Sequence, residues 1–115
     1  MKVLIGSHPK GYGEPFHPDT YSGRVLRKII GDKIDSFIFF DLWLDEADQK
    51  SGNLSDGVIL ELNNFLENDC QLFALGSAVQ KTLTKNNISH ICVPHPASRR
   101  SGDRKKLANA LHNTE

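Results

Sequence analysis

The chain has 115 residues, and Lys plus Arg balance Asp plus Glu, so the net charge identifies no partner. The length suits one domain, residues 1–115, and no apolar run approaches the length of a membrane span. The opening MKVLIGSHP has too short an apolar run for a secretory leader, so we expect a cytoplasmic protein with no membrane partner.

The first half of the chain predicts two strand–helix units. KVLI (2–5) predicts a buried strand, and TYSGRVLRKIIGD predicts a helix that Thr20 or Ser22 caps and Gly31 ends. SFIFF (36–40) predicts the second strand, and LSDGVILELNNFLEND predicts the helix that follows it.

The second half repeats this pattern. QLFAL (71–75) precedes a helical pattern that begins at Ser77, and HICV (90–93) precedes SGDRKKLANALH, with Leu107 and Leu111 one helical turn apart. Four such units predict an α/β fold, a three-layer α-β-α sandwich with a four-stranded parallel sheet. Because ligands in such folds bind at the carboxyl ends of the strands, the loops after the strands are the candidate site.

Charge is unevenly distributed along the chain. Residues 41–69 hold eight acids and one base, whereas residues 70–115 hold seven bases and two acids. This asymmetry predicts one acidic side and one basic rim, although solvated helix faces explain it equally well.

The two cysteines, Cys70 and Cys92, fit no metal-binding spacing. Two thiols alone cannot hold zinc or an iron–sulfur cluster. Each lies in or beside an apolar run, so we expect both to be buried and inert, and we expect no metal and no cofactor.

Two histidines directly follow predicted strands, each before a proline: His8-Pro9 and His95-Pro96. We therefore expect both imidazoles at the same edge of the sheet. Proline stiffens the loop and holds the preceding residue extended, which would orient each imidazole toward a ligand. Ordinary surface turns are the simpler explanation.

Asp41 ends the apolar run in FIFFDLW. A carboxylate at this position is either a turn cap or a ligand-facing group at the sheet edge. The apolar Leu42, Trp43 and Leu44 follow it, which does not look like a tight turn.

Five motifs, in chain order, resemble those of the uracil-DNA glycosylase superfamily. GSHP is similar to the family's first motif, and PFHPDTYSGRVLRKI to its phenylalanine followed by a helix with a small-residue/Gly pair. FIFFDLW resembles the strand that ends in a base-reading residue, and LFALGSAVQKTL the third strand with its helix. VPHPASRR resembles the last motif, which leads into the loop that enters DNA.

The resemblance implies a DNA N-glycosylase, a DNA-repair hydrolase that acts on a base flipped out of the stack. It implies that Phe16 stacks on the base, with Tyr12 as a second aromatic candidate, and that Ser7 and Asp41 help to bind the base. It also implies that His95 donates to the base oxygen that gains charge as the bond breaks.

The resemblance further implies that Ser98, Arg99 and Arg100 hold phosphates near the flipped nucleotide. The partner is then single- or double-stranded DNA, or a free nucleobase or nucleotide. No cofactor is implied.

The chain departs from the family pattern at two positions. His8 stands where the family has a water-activating Asp or Asn; a histidine can act as a base but cannot stabilise a cationic sugar as a carboxylate does. We expect Asp19 to supply that role, unless the role is absent. Asp41 stands where the family reads uracil with Asn, and an ionised carboxylate only accepts hydrogen bonds.

Three functions remain open from the sequence. The first is excision of a modified or damaged base, with His8, Asp41 and His95 at the site. The second is a catalytically inactive domain of the same fold that binds a nucleobase, a nucleotide or DNA. The third is a protein-interaction module that uses Trp43 and the acidic residues 41–56.

Overall fold

A computed structural model describes residues 1–9 and 11–112 and shows an α/β fold around a four-stranded, all-parallel sheet. The strands are β1 (Lys2–Gly6), β2 (Phe37–Asp41), β3 (Gln71–Leu75) and β4 (Ile91–Val93). Their order across the sheet is β2-β1-β3-β4, and Gly6 lies opposite Asp41 in the β1–β2 register. The four predicted strands are confirmed to within one residue at each end.

Five helices in the described part of the chain connect and follow the strands: α1 (Tyr21–Ile30), α2 (Glu46–Ser51), α3 (Asp56–Glu67), α4 (Ser77–Lys85) and α5 (Asp103–His112). Thr20 caps α1, because its hydroxyl accepts a hydrogen bond from the Gly23 amide at 2.9 Å. Gly31 ends α1 as predicted, with φ of 60°. None of the helices among the described residues is long and apolar enough to cross a membrane.

Two short elements were not predicted. A 3₁₀ turn (Gly31–Ser36) joins α1 to β2, and α2 occupies the acidic loop after β2. The sequence of α2, EADQKS, has no apolar stripe, and it is capped by Asp45, whose carboxylate accepts from the Asp48 amide at 2.8 Å. Periodicity cannot detect a helix that is this short and buries nothing.

The sheet separates two apolar cores, as alternating strand side chains require. Leu4 of β1 packs on one face with Leu26 of α1 and Leu107 of α5. On the other face, Val3 packs with Leu62 of α3 and with Leu83 of α4. Helices therefore cover both faces of the sheet, an arrangement compatible with the predicted three layers.

One burial prediction is wrong. Cys92 is exposed, because β4 is an edge strand in which Ile91 is also 41% exposed. Cys70 is half-buried, and both thiols are free. An apolar run in the sequence does not distinguish an edge strand from a central one.

Candidate active site

A cavity opens at the carboxyl edge of the sheet, where the loops after β1, β2 and β4 meet. Its volume is about 30 Å³, or about 350 Å³ when the open space at its mouth is counted. It is lined by Ser7, His8, Pro9, Phe16, Thr20, Ser22, Asp41 and His95. The structure thus brings together five of the seven residues that the sequence placed at a base site or beside it: Ser7, His8, Phe16, Asp41 and His95.

Asp41 holds the least satisfied polar group of this cavity. Its Oδ2 atom is buried and has no hydrogen-bond partner among the described residues. Burial raises the pKa of this carboxyl from 3.8 to about 6, because the charged form is removed from water. A buried acceptor without a partner costs free energy, so it needs an explanation such as a bound water or a functional role.

Phe16 reaches the cavity from a strained backbone. Its φ is 51°, in the left-handed region that a bulky side chain rarely adopts. The ring is only 9% exposed and packs edge-on against Phe39, with centroids 5.9 Å apart. The surrounding structure holds this conformation, and strain of this kind clusters at binding sites.

Gly6 allows Phe16 and Asp41 to meet at the end of β1. A Cβ at this position would lie 2.7 Å from the Phe16 ring and 2.9 Å from Asp41 Oδ1. Any larger residue would therefore displace one of the two side chains.

The loop that carries Phe16 is fixed to the start of α1. The Thr20 hydroxyl donates to the His17 carbonyl at 2.7 Å, and Arg27 Nε donates to the Phe16 carbonyl at 3.1 Å. Gly23 lets α1 approach closely, since a Cβ there would lie 2.0 Å from the His17 carbonyl oxygen. The small-residue/Gly pair in the sequence thus serves to position Phe16.

His95 is oriented by its own loop. The Ala97 amide donates to His95 Nδ1 at 3.0 Å, so Nδ1 is an acceptor, and in the neutral ring the proton is on Nε2. Gly76, with φ of 96°, leaves room for the imidazole, because a Cβ there would lie 3.2 Å from the ring. The neutral ring is therefore held as an Nε2–H donor.

Two sequence candidates lie outside the cavity. Asp19 is exposed, and its carboxylate lies 3.8 Å from His17 Nδ1. Asp19 does not line the cavity, so the role expected of it stays a prediction that this position does not favour. Tyr12 is 47% exposed and stacks on His17, with ring centroids 4.8 Å apart.

The predicted phosphate-binding residues lie next to the cavity. Ser98 and Arg100 line a groove of about 850 Å³, counting its open space, which shares His95 with the cavity and also contains Lys106. Ser98 Oγ donates to Asp103 Oδ2 at 2.6 Å, so this hydroxyl serves the turn before α5. Arg99 is exposed but does not line the groove.

Sequence reasoning missed two hydroxyl residues of the cavity, Thr20 and Ser22, which it treated only as possible helix caps. Their position at the start of the helix after a candidate loop is the signal that was available. Within residues 1–9 and 11–112, no group of three His, Cys, Asp or Glu side chains is placed to hold a metal ion.

Comparison with protein-family models, curated proteins and solved structures finds no match to this chain.

Proposed function

We propose that this chain binds a nucleobase flipped out of DNA and cleaves the N-glycosidic bond of a modified or damaged base, as a member of the uracil-DNA glycosylase-like fold. The observation that carries the proposal is the buried, unpartnered Oδ2 of Asp41 in a cavity shared with Phe16 and His95. This arrangement offers a base an aromatic ring, an acceptor and a donor at once.

The ionisation state of Asp41 determines which hydrogen-bonding edge of a base it can pair with. Above a pH of about 6 the carboxylate only accepts hydrogen bonds, which suits an exocyclic amine or a ring N–H. Below that pH the neutral carboxyl offers one donor and one acceptor, the same pair that an amide offers. We therefore expect amino bases to be favoured at neutral pH and uracil-like edges to gain as the pH falls.

The two histidines have different roles in the proposed reaction. His8 takes a proton from a water molecule as the water oxygen attacks the anomeric carbon of the sugar. The carbon–nitrogen bond breaks, and its electron pair moves to the base. His95, held as an Nε2–H donor, stabilises the base oxygen on which the charge develops.

A catalytically inactive nucleobase- or DNA-binding domain is the second candidate. Asp41 is the only carboxylate among the described residues that line the cavity, and Asp19 lies outside it. Without another carboxylate near His8, the cationic sugar of the transition state loses the stabilisation that the family's first motif supplies. This departure favours binding without turnover.

Protein association is the third candidate, and the residue that supports it is Leu44 rather than Trp43. Trp43 is only 4% exposed, and its Nε1 donates to the Asn53 carbonyl at 3.0 Å, so it is a core residue. Leu44, 83% exposed in the same acidic loop, is the residue that now supports an interaction surface.

A cleavage screen tests the proposal. Labelled single- and double-stranded oligonucleotides carry uracil, hydroxymethylated pyrimidines, hypoxanthine or mismatches, and alkali reveals abasic sites at pH 5.5 and 7.5. We expect cleavage of one base class, lost in His8→Ala and in His95→Ala. His112→Ala is the matched control, because this exposed histidine lies at the end of α5.

The outcomes separate the three candidates. Cleavage that survives both cavity substitutions would overturn the proposed roles of the histidines. Binding that depends on Asp41, without cleavage of any base, would identify the inactive domain. No affinity for any nucleotide or DNA would remove both and leave protein association.

A further inference from the structure

A second surface, formed by α1 and α5, carries cations without acidic partners. Arg24 and Lys28 project from α1, and Arg104 and Lys105 from α5; all four are exposed. The ion pairs found among the described residues involve His17 and Lys50 only, so none of these four side chains is neutralised there. Four exposed cations without an ion-pair partner among the described residues, on adjacent helices, attract a polyanion.

The two helices form a groove at this surface. It measures about 1030 Å³, counting its open space, and its lining includes apolar residues (Val25, Ile29 and Ala108) and cations (Lys28, Arg104 and Lys105). A groove with apolar parts and cationic edges accommodates a chain that has both charged and flat apolar groups.

Tyr21 is hydrogen-bonded to a residue of this groove and is adjacent in the chain to two residues of the base cavity. It lies between Thr20 and Ser22, which both line the cavity, and its ring is 45% exposed. Arg104 Nη2 donates to the Tyr21 hydroxyl at 2.8 Å, which joins the aromatic ring to the cations of α5. An exposed aromatic ring beside cations is the combination that binds unpaired bases and their phosphates.

We propose that the α1–α5 surface, from Tyr21 to Lys28, binds the single-stranded nucleic acid that flanks the target nucleotide. Tyr21 stacks on an unpaired base next to the cavity, and the cations of the two helices contact the phosphates beyond it. The ten residues of α1 span about 15 Å, so the surface holds a short segment of strand.

This inference rests on the proposed function only in its statement that the strand leads to the base cavity. The exposed aromatic ring favours single-stranded nucleic acid over an acidic polypeptide, since a polypeptide would use the cations without needing stacking. It also favours a single strand over a duplex, whose paired bases cannot stack on Tyr21.

The test measures anisotropy of a labelled, unmodified oligonucleotide, single-stranded or annealed, over a range of salt concentrations. Two neutralising variants are compared: Lys28→Gln with Lys105→Gln, and the control Lys81→Gln with Lys85→Gln on α4, across the sheet. Loss of two phosphate contacts should reduce the slope of log affinity against log salt by about 1.4 in the first variant and leave the control unchanged.

Tyr21 is tested separately. Tyr21→Ala should weaken single-strand binding about tenfold, whereas Tyr21→Phe, which keeps the ring, should stay within about twofold. Thermal unfolding of each variant establishes that the fold is retained.

Three results would overturn the inference: equal slopes for the two lysine variants, duplex binding as tight as single-strand binding, or competition by polyglutamate as effective as by DNA. The last result would identify an acidic polypeptide as the partner. Because these oligonucleotides carry no target base, failure of the cleavage screen does not affect this measurement, and failure here leaves the screen standing.

Discussion

The two long loops of the molecule each insert one aromatic side chain into one of the two cores, yet with different results. The loop after β1 inserts Phe16 on the α1–α5 side, and the loop after β2 inserts Trp43 on the α3–α4 side. Trp43 is buried and its indole N–H is satisfied by Asn53. Phe16 is buried with a strained backbone and lines a cavity.

The difference shows how to distinguish a loop that completes a core from a loop that builds a site. In the Trp43 loop, polar groups are paired locally: Asp45 and Asp48 accept hydrogen bonds from backbone amides. At the Phe16 loop, backbone strain remains after folding, and Phe16 shares its cavity with the unpartnered oxygen of Asp41, which lies at the end of β2. Backbone strain and an unpartnered buried oxygen both cost free energy in the folded state, and their presence at one site points to a ligand.

The largest expected effect concerns Trp43. Trp43→Ala should lower the free energy of unfolding by about 3–5 kcal/mol, because it removes a buried ring from a packed core. Trp43→Phe, which mainly loses the hydrogen bond to Asn53, should cost about 0.5–1.5 kcal/mol. Urea unfolding measures both. An unchanged midpoint for Trp43→Ala would show that the loop is not a core element.

The next effect compares two glycines. Gly6→Ala should destabilise the chain by about 1–3 kcal/mol and weaken base binding, because the new Cβ meets the Phe16 ring and Asp41 Oδ1. Gly57→Ala, in α3 with its nearest neighbour at 4.0 Å, should stabilise by about 0.5–1 kcal/mol. Urea unfolding and oligonucleotide binding measure the pair; the same sign for both substitutions would contradict the close approach at Gly6.

Asp41 predicts a pH dependence. The folded chain keeps the Asp41 proton between a pH of 3.8 and about 6, where the unfolded chain has lost it. Ionisation therefore penalises the folded state, so this carboxyl lowers the free energy of unfolding as pH rises through that window and adds nothing further above it.

Asp41→Asn should remove this penalty and stabilise the chain by about 1–2 kcal/mol at pH 7, a figure reduced for the partial exposure of the carboxyl. The gain should disappear as the pH falls toward 4. Asp35→Asn, at an exposed position, is the matched control for the Asp-to-Asn change itself. Urea unfolding between pH 4 and pH 7 tests this prediction. A gain in stability from Asp41→Asn that is independent of pH would count against a raised pKa of Asp41.

The smallest expected effect is the loss of a helix cap, and comparing two caps separates an effect on stability from an effect on binding. Thr20→Ala and Ser55→Ala each remove a helix cap and should each cost about 1 kcal/mol. Only Thr20 lines the cavity, so only Thr20→Ala should also weaken binding of a base-carrying oligonucleotide. Equal loss of binding in both variants would mean that stability alone controls the site.

The sequence predicted the strands and four of the helices well, because the strands are continuous apolar runs and the helices have apolar stripes, with explicit caps at α1 and α3. It also predicted that His8, Asp41 and His95 would meet, since parallel strands end at one edge of the sheet. Both predictions depend on periodicity and strand direction, which can be inferred from the order of the residues.

The remaining features depend on tertiary contacts. Nothing in the letters around Asp19 shows that its exposed carboxylate lies outside the cavity, and an exposed Cys92 requires knowing that β4 is an edge strand. The burial of Trp43 likewise follows from packing against α3 and α4 rather than from its acidic neighbours. The roles of the cavity residues stay predictions.

The strand order also has a kinetic consequence. The first strand in the chain is a central strand of the sheet, and in its register with β3 it places Lys2 opposite Gln71. That pairing closes a long loop and cannot form as a local hairpin. The chain therefore loses the entropy of loop closure before the contacts between the two strands can stabilise it. We expect the chain to fold more slowly than a helical bundle of this size, with assembly of the carboxyl edge among the last events.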